Sequence, residues 1–247
     1  MSDIINAHQL PEEVQNKFVP YLKKLLQLHK EKIVSVFIYG SSTGPNYSPN
    51  HSDINSVFIV RDHRFDILRK SLQIVGEGLR QKIAAPLFLT KEYIQSSLDV
   101  FPMEFGDMKE NHLLVFGEDV LSSLDINEDY VRLFCEQQIK GKLLRIRQAY
   151  LTVGLNRKGM ETLLKDSLNS LIPIFRNLLR LKGKTPPPHK MELIKQIGQE
   201  FGLKDGALLS IYKHISGDEK LASQNIEILL EKYIDEIEKL AGQVDQR

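Results

Sequence analysis

Cysteine is nearly absent from this chain: among 247 residues only Cys135 carries a thiol. A lone cysteine closes no intramolecular disulfide, and so sparing a use fits a reducing compartment. Cys135 lies in an apolar helical pattern, which marks it as a buried structural thiol rather than a nucleophile. An excess of one charge is also missing. The 33 basic and 32 acidic residues leave a formal net charge of +1 and are spread evenly, which argues against a dedicated nucleic-acid surface. No stretch approaches the ~18 apolar residues of a membrane-spanning helix. The opening Met1-Ser-Asp-Ile-Ile-Asn6 lacks the basic segment and apolar core of a signal peptide. The seven histidines show no His-x-x-x-His spacing, and no Cys-x-x-Cys exists, so a zinc site is not expected. Internal repeats and low-complexity tracts are absent too. These absences together lead us to expect a cytoplasmic protein with no membrane partner.

What is present changes character near residue 128. Before that point, helical and strand patterns alternate. Val14, Phe18, Tyr21, Leu22, Leu25 and Leu28 recur at helical spacing behind Pro11, predicting a helix over 11–30. Residues 34–39 and 54–60 are rich in Val, Ile and Phe and read as buried strands. Phe65, Leu68, Leu72, Val75 and Leu79 predict a helix over 64–82. A third strand is expected at 85–90, with Pro86 near its start, then a short helix over 91–98 and a short strand over 111–116. After residue 128 strand patterns stop. Met160, Leu164, Leu168, Leu171, Phe175 and Leu178 form one apolar stripe, and Ile226, Leu230, Tyr233, Ile237, Leu240 and Val244 form another. Helices are also expected over 130–151, 190–201 and 205–215, with Lys184-Thr-Pro-Pro-Pro-His189 as a stiff linker. The fold class is therefore α+β: a small mixed sheet with flanking helices in residues 1–127, then an antiparallel helical bundle in residues 128–247.

The most informative stretch runs from Val34 to Val60. An apolar strand ends at Tyr39 and is followed by Gly40-Ser41-Ser42. A glycine there permits a tight turn and close approach of backbone to a ligand. Successive N–H groups, with the hydroxyls of Ser41 and Ser42, suit phosphate oxygens. Gly44, Pro45, Asn46, Pro49 and Asn50 make a loop. Then Ser52-Asp53-Ile54-Asn55 opens the second strand. Asp53 and Asn55, two apart on a strand, point to one face.

This Gly-Ser pair, a spacer of roughly ten residues and an acid opening a strand resembles the signature of the polymerase-β-like nucleotidyltransferase superfamily. A core of this kind followed by a helical bundle also resembles the aminoglycoside nucleotidyltransferases. Phe116-Gly-Glu-Asp119 is similar to the short strand and glycine that close the core in those proteins. The resemblance implies a nucleoside triphosphate as ligand, held by Gly40, Ser41, Ser42 and Ser52. It implies Mg²⁺ as cofactor at Asp53, with Asp53 and Asn55 at the catalytic positions. In the family both of those positions carry acids that share a pair of divalent ions; an uncharged amide binds Mg²⁺ poorly. The family's third acid comes from the strand after the first core helix, which here reads Ala85-Pro-Leu-Phe-Leu-Thr90.

Glu104 and Asp107, in a largely apolar stretch, are the stand-in candidates, against a plain reading of Glu104 as solvent-facing or helix-capping and Asp107 as a loop residue. Asp166, Asn169, Arg176 and Asn177 form a polar stripe about Pro173, and Lys140, Lys142, Arg145 and Arg147 form a basic helix face. The stripe reads either as lining a cleft that faces the nucleotide core or as a solvated face, and the basic face either as neutralising a triphosphate or as a solvated face. The expected activity is weak or lost nucleotidyl transfer with a nucleotide-binding pocket retained. The alternative is an active Mg²⁺-dependent enzyme that moves a nucleoside monophosphate to a hydroxyl. Expected partners are a nucleotide and an undefined acceptor, with a homodimer left open.

Overall fold

The computed structural model describes residues 4–43, 47–49, 52–62, 64–203, 206–217 and 226–245. They fall into two compact units, residues 1–127 and 128–247.

The first unit is built on four strands: β1 (Ile33–Tyr39), β2 (Asn55–Val60), β3 (Leu87–Leu89) and β4 (His112–Gly117). Their order is β3-β2-β1-β4, with β1 antiparallel to β2 and β4 and with β3 parallel to β2. A mixed sheet results because β3 follows β2 through a helix, whereas a parallel neighbour cannot be reached by a hairpin. The central strands alternate apolar residues toward both faces, so each face needs a helical cover. On one side Val36, Ile38, Phe58 and Val60 pack against Phe18, Leu22 and Leu25 of α1 (Glu12–His29) and Ile67 of α2 (Phe65–Leu79). On the other, Phe37, Val57 and Ile59 pack against Ile94 of α3 (Lys91–Ser96) and Phe105 and Met108 of α4 (Pro102–Glu110).

Two sequence expectations are corrected here, and the stripe of α2 takes an outward place. The stretch 102–110 is a helix that the pattern did not suggest: Pro102 starts it, where a missing N–H costs nothing, and Met103, Phe105 and Met108 turn inward. The third strand keeps only three residues, 87–89. The stripe that predicted α2 faces outward, with Phe65 74% and Leu72 68% exposed. Its inward face is Ile67, Ser71 and Gly78. Small residues win that side because α1 lies close: a Cβ on Gly78 would stand 2.8 Å from the Tyr21 ring.

The second unit is helical throughout its described residues: α5 (Glu128–Val153), α6 (Arg157–Leu181), α7 (Lys190–Glu200), α8 (Ala207–Ser216) and α9 (Ile226–Asp245). Both expected stripes are inside it, on α6 and α9, and α5 packs on both of those helices. The short 154–156 connection makes α5 and α6 antiparallel. Cys135 is fully buried on α5, and burial pushes its thiol up to about 12, which leaves no thiolate at neutral pH. Among the described residues no helix is long and apolar enough to cross a membrane.

Candidate functional site

The turn after β1 is a short 3₁₀ segment, Gly40–Thr43. Gly40 has φ +79°, a left-handed conformation that L side chains resist. Its N–H donates to Asn111 O at 3.1 Å, which ties the turn to the start of β4. Ser42 is fully buried, and its hydroxyl donates to Tyr39 O at 3.3 Å. Thr43 Oγ1 donates to Gly40 O at 2.8 Å. Ser41 is the exposed member of the turn. The expected phosphate ligands thus divide: Ser41 faces outward, while Gly40 and Ser42 spend their donors on the fold itself.

Of the expected loop, Gly44, Pro45, Asn46 and Asn50 lie outside the described residues. Its far end is closed by a reciprocal pair: Ser52 N donates to Ser48 O at 2.7 Å, and Ser48 N donates to Ser52 Oγ at 3.1 Å. Lys82 Nζ donates to Pro49 O at 3.1 Å.

Asp53 precedes the ladder of β2 rather than opening it. Ile54 makes a parallel bridge to Ile83, with Ile54 N donating to Lys82 O at 2.8 Å and Ala84 N to Ile54 O at 3.0 Å. Ile54 is buried in the α1/α2 core, and the strand alternation leaves its neighbours to the other side. Asp53 is exposed and Asn55 half-buried. Asn55 lies against the turn: a Cβ on Gly40 would stand 3.6 Å from Asn55 Nδ2.

Asn55 pairs with Tyr39 and Tyr39 with His112, so these three side chains form a row across the sheet end. Sequence reading missed the last two. Nothing in the chain marks the register that brings His112 beside Tyr39. The His112 ring is fixed between acceptors, with Nδ1 2.8 Å from Met108 O and Nε2 3.3 Å from Asp119 Oδ1. The Asp119 carboxyl is partly buried, which works against ionisation, yet hydrogen bonds from Ser122 and His112 hold it below the ordinary carboxylate range.

The position of the family's third acid falls on apolar residues. Leu87 pairs with Val57, on the face of Asn55, and is 41% exposed. The two stand-ins are on α4. Glu104 is exposed in its first turn, and Asp107 is half-buried near its end rather than in a loop. Backbone links connect α4 to the turn: Asn111 N donates to Asp107 O at 2.9 Å, and Asn111 O accepts from Gly40. Among the described residues no group of three His, Cys, Asp or Glu side chains is gathered as a metal site.

In the helical unit three of the four polar stripe residues are hydrogen-bonded within the unit. Arg176 donates to Pro187 O and Pro188 O, both at 3.0 Å, and Lys190 Nζ donates to Asn169 Oδ1 at 3.1 Å. Asn177 is buried and donates to Pro173 O at 3.0 Å. The stripe therefore clamps the proline linker onto α6. Asp166 and Asn169 stay exposed. The basic face of α5 also divides. Lys140 pairs with Glu136 and Asp245 and Arg147 with Glu238; Lys142 and Arg145 have no carboxylate partner among the described residues.

No protein-family model and no curated protein matches this sequence. Solved structures do. The spectinomycin adenyltransferase AAD(9) of Enterococcus faecialis, solved with ATP and spectinomycin, superposes with a TM-score of 0.54 at 12% identity, over 89% of this chain and 98% of that one. A nucleotidyltransferase-like protein from Exiguobacterium sibiricum matches at 14% identity over 94% of this chain and 77% of that one, with a TM-score of 0.45. The first likeness is one of fold, and it covers both units: this chain has the nucleotidyltransferase fold with its appended helices.

Proposed function

We propose that this chain is a cytoplasmic nucleotide-binding protein of nucleotidyltransferase fold whose transferase activity is weak or lost. The observation that carries this reading is Asn55, an amide against the Gly40 turn at the position of the motif's second carboxylate. Leu87 at the third acidic position supports it. A pair of Mg²⁺ ions asks for several hard, charged oxygens. Asp53, one amide and a leucine do not fit such a pair.

The residues themselves suit a modest phosphate contact. The Ser41 hydroxyl is the outward donor, Gly40 and Ser42 hold the turn's shape, and Ser52 closes the loop beside Asp53. Asp53 without a metal repels a triphosphate, which keeps the affinity low.

The second reading is an active Mg²⁺-dependent enzyme that uses Asp107 or Glu104 in place of the missing acids. It is favoured by the hydrogen-bond path from the Gly40 turn through Asn111 to the end of α4.

One assay separates the two: pyrophosphate release from each nucleoside triphosphate with a panel of hydroxyl acceptors, run beside ATP titration calorimetry. We expect no Mg²⁺-dependent release above background. We also expect weak ATP binding that falls about 3- to 10-fold in Ser41→Ala, the loss of one net hydrogen bond. Turnover abolished by both Asp53→Ala and Asp107→Asn would establish the second reading instead. ATP affinity indifferent to Ser41→Ala would remove the turn as a phosphate contact.

A further inference from the structure

A groove of about 670 Å³ runs between α5 and the first half of α6, wholly inside the helical unit. Its size suits a small organic molecule. Ile146 and Val153 of α5 and Leu163 of α6 give it apolar walls, and Lys142, Arg145 and Lys158 bring three cations to it. Asp166 is the one carboxylate in the lining. It pairs with none of them, since their charged atoms enter no ion pair among the described residues.

The same helix supplies the contrast that makes this significant. On α5, Lys140 lies 2.6 Å from Glu136 and 3.1 Å from Asp245, and Arg147 meets Glu238. Cations that face the α9 side are neutralised, whereas those that face the groove are not. Lys142 is half-buried, one turn from Arg145. Burial and the Arg145 charge both hold its ammonium below the ordinary lysine range. Two like charges at i and i+3 destabilise a helix, and a partly desolvated cation lacks its water. An anion in the groove relieves both costs. The first turn of α6, which lines the same groove through Asn156, Lys158 and Gly159, adds the partial positive charge of a helix start.

We propose that this groove binds a small organic anion, its carboxylate or phosphate head between Lys142 and Arg145 and its apolar body along Ile146, Val153 and Leu163. The proposal is independent of the nucleotide reading, which concerns the turn at residues 40–43 in the other unit.

The test uses the full chain and 8-anilinonaphthalene-1-sulfonate, an aromatic anion, beside N-phenyl-1-naphthylamine, the same body without the charge. Fluorescence titration is expected to show saturable binding of the anion. Lys142→Ala with Arg145→Ala should weaken it about tenfold or more, the loss of charge-assisted hydrogen bonds, with the neutral analogue unchanged. Lys142→Arg with Arg145→Lys should keep the anion's affinity within about threefold, because both charges remain. Displacement by inorganic phosphate against acetate then tells a phosphate head from a carboxylate. If the doubly truncated chain melts early, the wild type still decides the matter: added NaCl should weaken the anion and not the neutral analogue. Equal anion affinity in wild type and Lys142→Ala/Arg145→Ala, an equal loss for the neutral analogue, or no response to salt would each overturn the proposal.

Discussion

On the reading proposed here, the difference between a catalytic and a vestigial turn lies, at the scale of single residues, chiefly in an amide, Asn55, where the motif has a carboxylate. The sequence exposed that exchange directly, because Ser52-Asp-Ile-Asn55 can be read without coordinates. What it hid was the use of the donors. Ser41 and Ser42 look alike in the chain, yet one is exposed and the other is buried with its hydroxyl on Tyr39 O. The glycines also separate only in three dimensions. Gly40 and Gly117 have nearly the same left-handed φ, +79° and +80°. At Gly40 a Cβ would meet Asn55 Nδ2 at an ordinary 3.6 Å, whereas at Gly117 it would overlap Val34 O and stand 2.9 Å from Ser35 Cα. Gly40→Ala should therefore cost about 1–2 kcal/mol, the strain of the conformation alone. Gly117→Ala should cost about 1–3 kcal/mol more, since β4 must move off β1. Urea midpoints with unchanged slopes would check this. Equal losses at the two sites would mean that the backbone of β4 yields freely.

Among the elements, α2 shows most plainly where periodicity fails. Helical spacing of Phe65, Leu68, Leu72 and Leu79 located the helix, yet these residues lie on its exposed side. Periodicity reports that a stripe exists; the side that is buried depends on how closely a neighbour approaches, and here α1 approaches over Ser71 and Gly78. The missed helix α4 has the opposite cause, since its apolar residues are few and are interrupted by Glu104, Gly106 and Asp107.

The α1–α2 contact also contains a titratable tie. His29 ends α1, is buried, and lies with Nε2 2.8 Å from Ser71 Oγ. Ser71 Oγ in turn donates to Ile67 O at 2.9 Å. With the hydroxyl proton so directed, the imidazole N–H is the donor to Ser71. Burial first, then the charges of Lys32 and Lys70 against that of Asp66, hold His29 below its ordinary value of 6.5. The folded state therefore binds the proton less well than the unfolded chain. The stabilisation is present above that ordinary value and is lost as pH falls through the folded one. Thermal midpoints should drop as pH is lowered from about 7 to about 5. His29→Gln, which keeps an N–H for Ser71 and cannot be protonated, should drop less. Parallel curves for the two proteins would show that His29 does not set the acid slope.

For the whole molecule, the change of pattern near residue 128 was legible because alternation and helical periodicity are both long-range signals. The likeness of fold to AAD(9) is seen at 12% identity. Activity does not follow from a shared pattern, since it depends on a few site residues. The two core clusters on the sheet are each complete within the first unit. One is built from buried residues between Leu10 and Val115, and the other from residues between Phe37 and Leu124. Among the described residues, neither cluster includes a side chain from residue 128 or beyond. A segment of this size that encloses its own cores has what an autonomous domain needs. We therefore expect a chain of residues 1–127 to fold alone, with a mixed α and β far-ultraviolet circular dichroism spectrum. It should unfold in one cooperative urea transition with a slope of about 1–3 kcal/mol/M. Residues 128–247, prepared separately, should give a helical spectrum and their own transition. A first fragment that is compact but melts without cooperativity would mean that its sheet needs the helical unit to select a single packing. The proposed nucleotide and anion sites would then be coupled through folding, and binding measured in one unit would shift with mutations in the other.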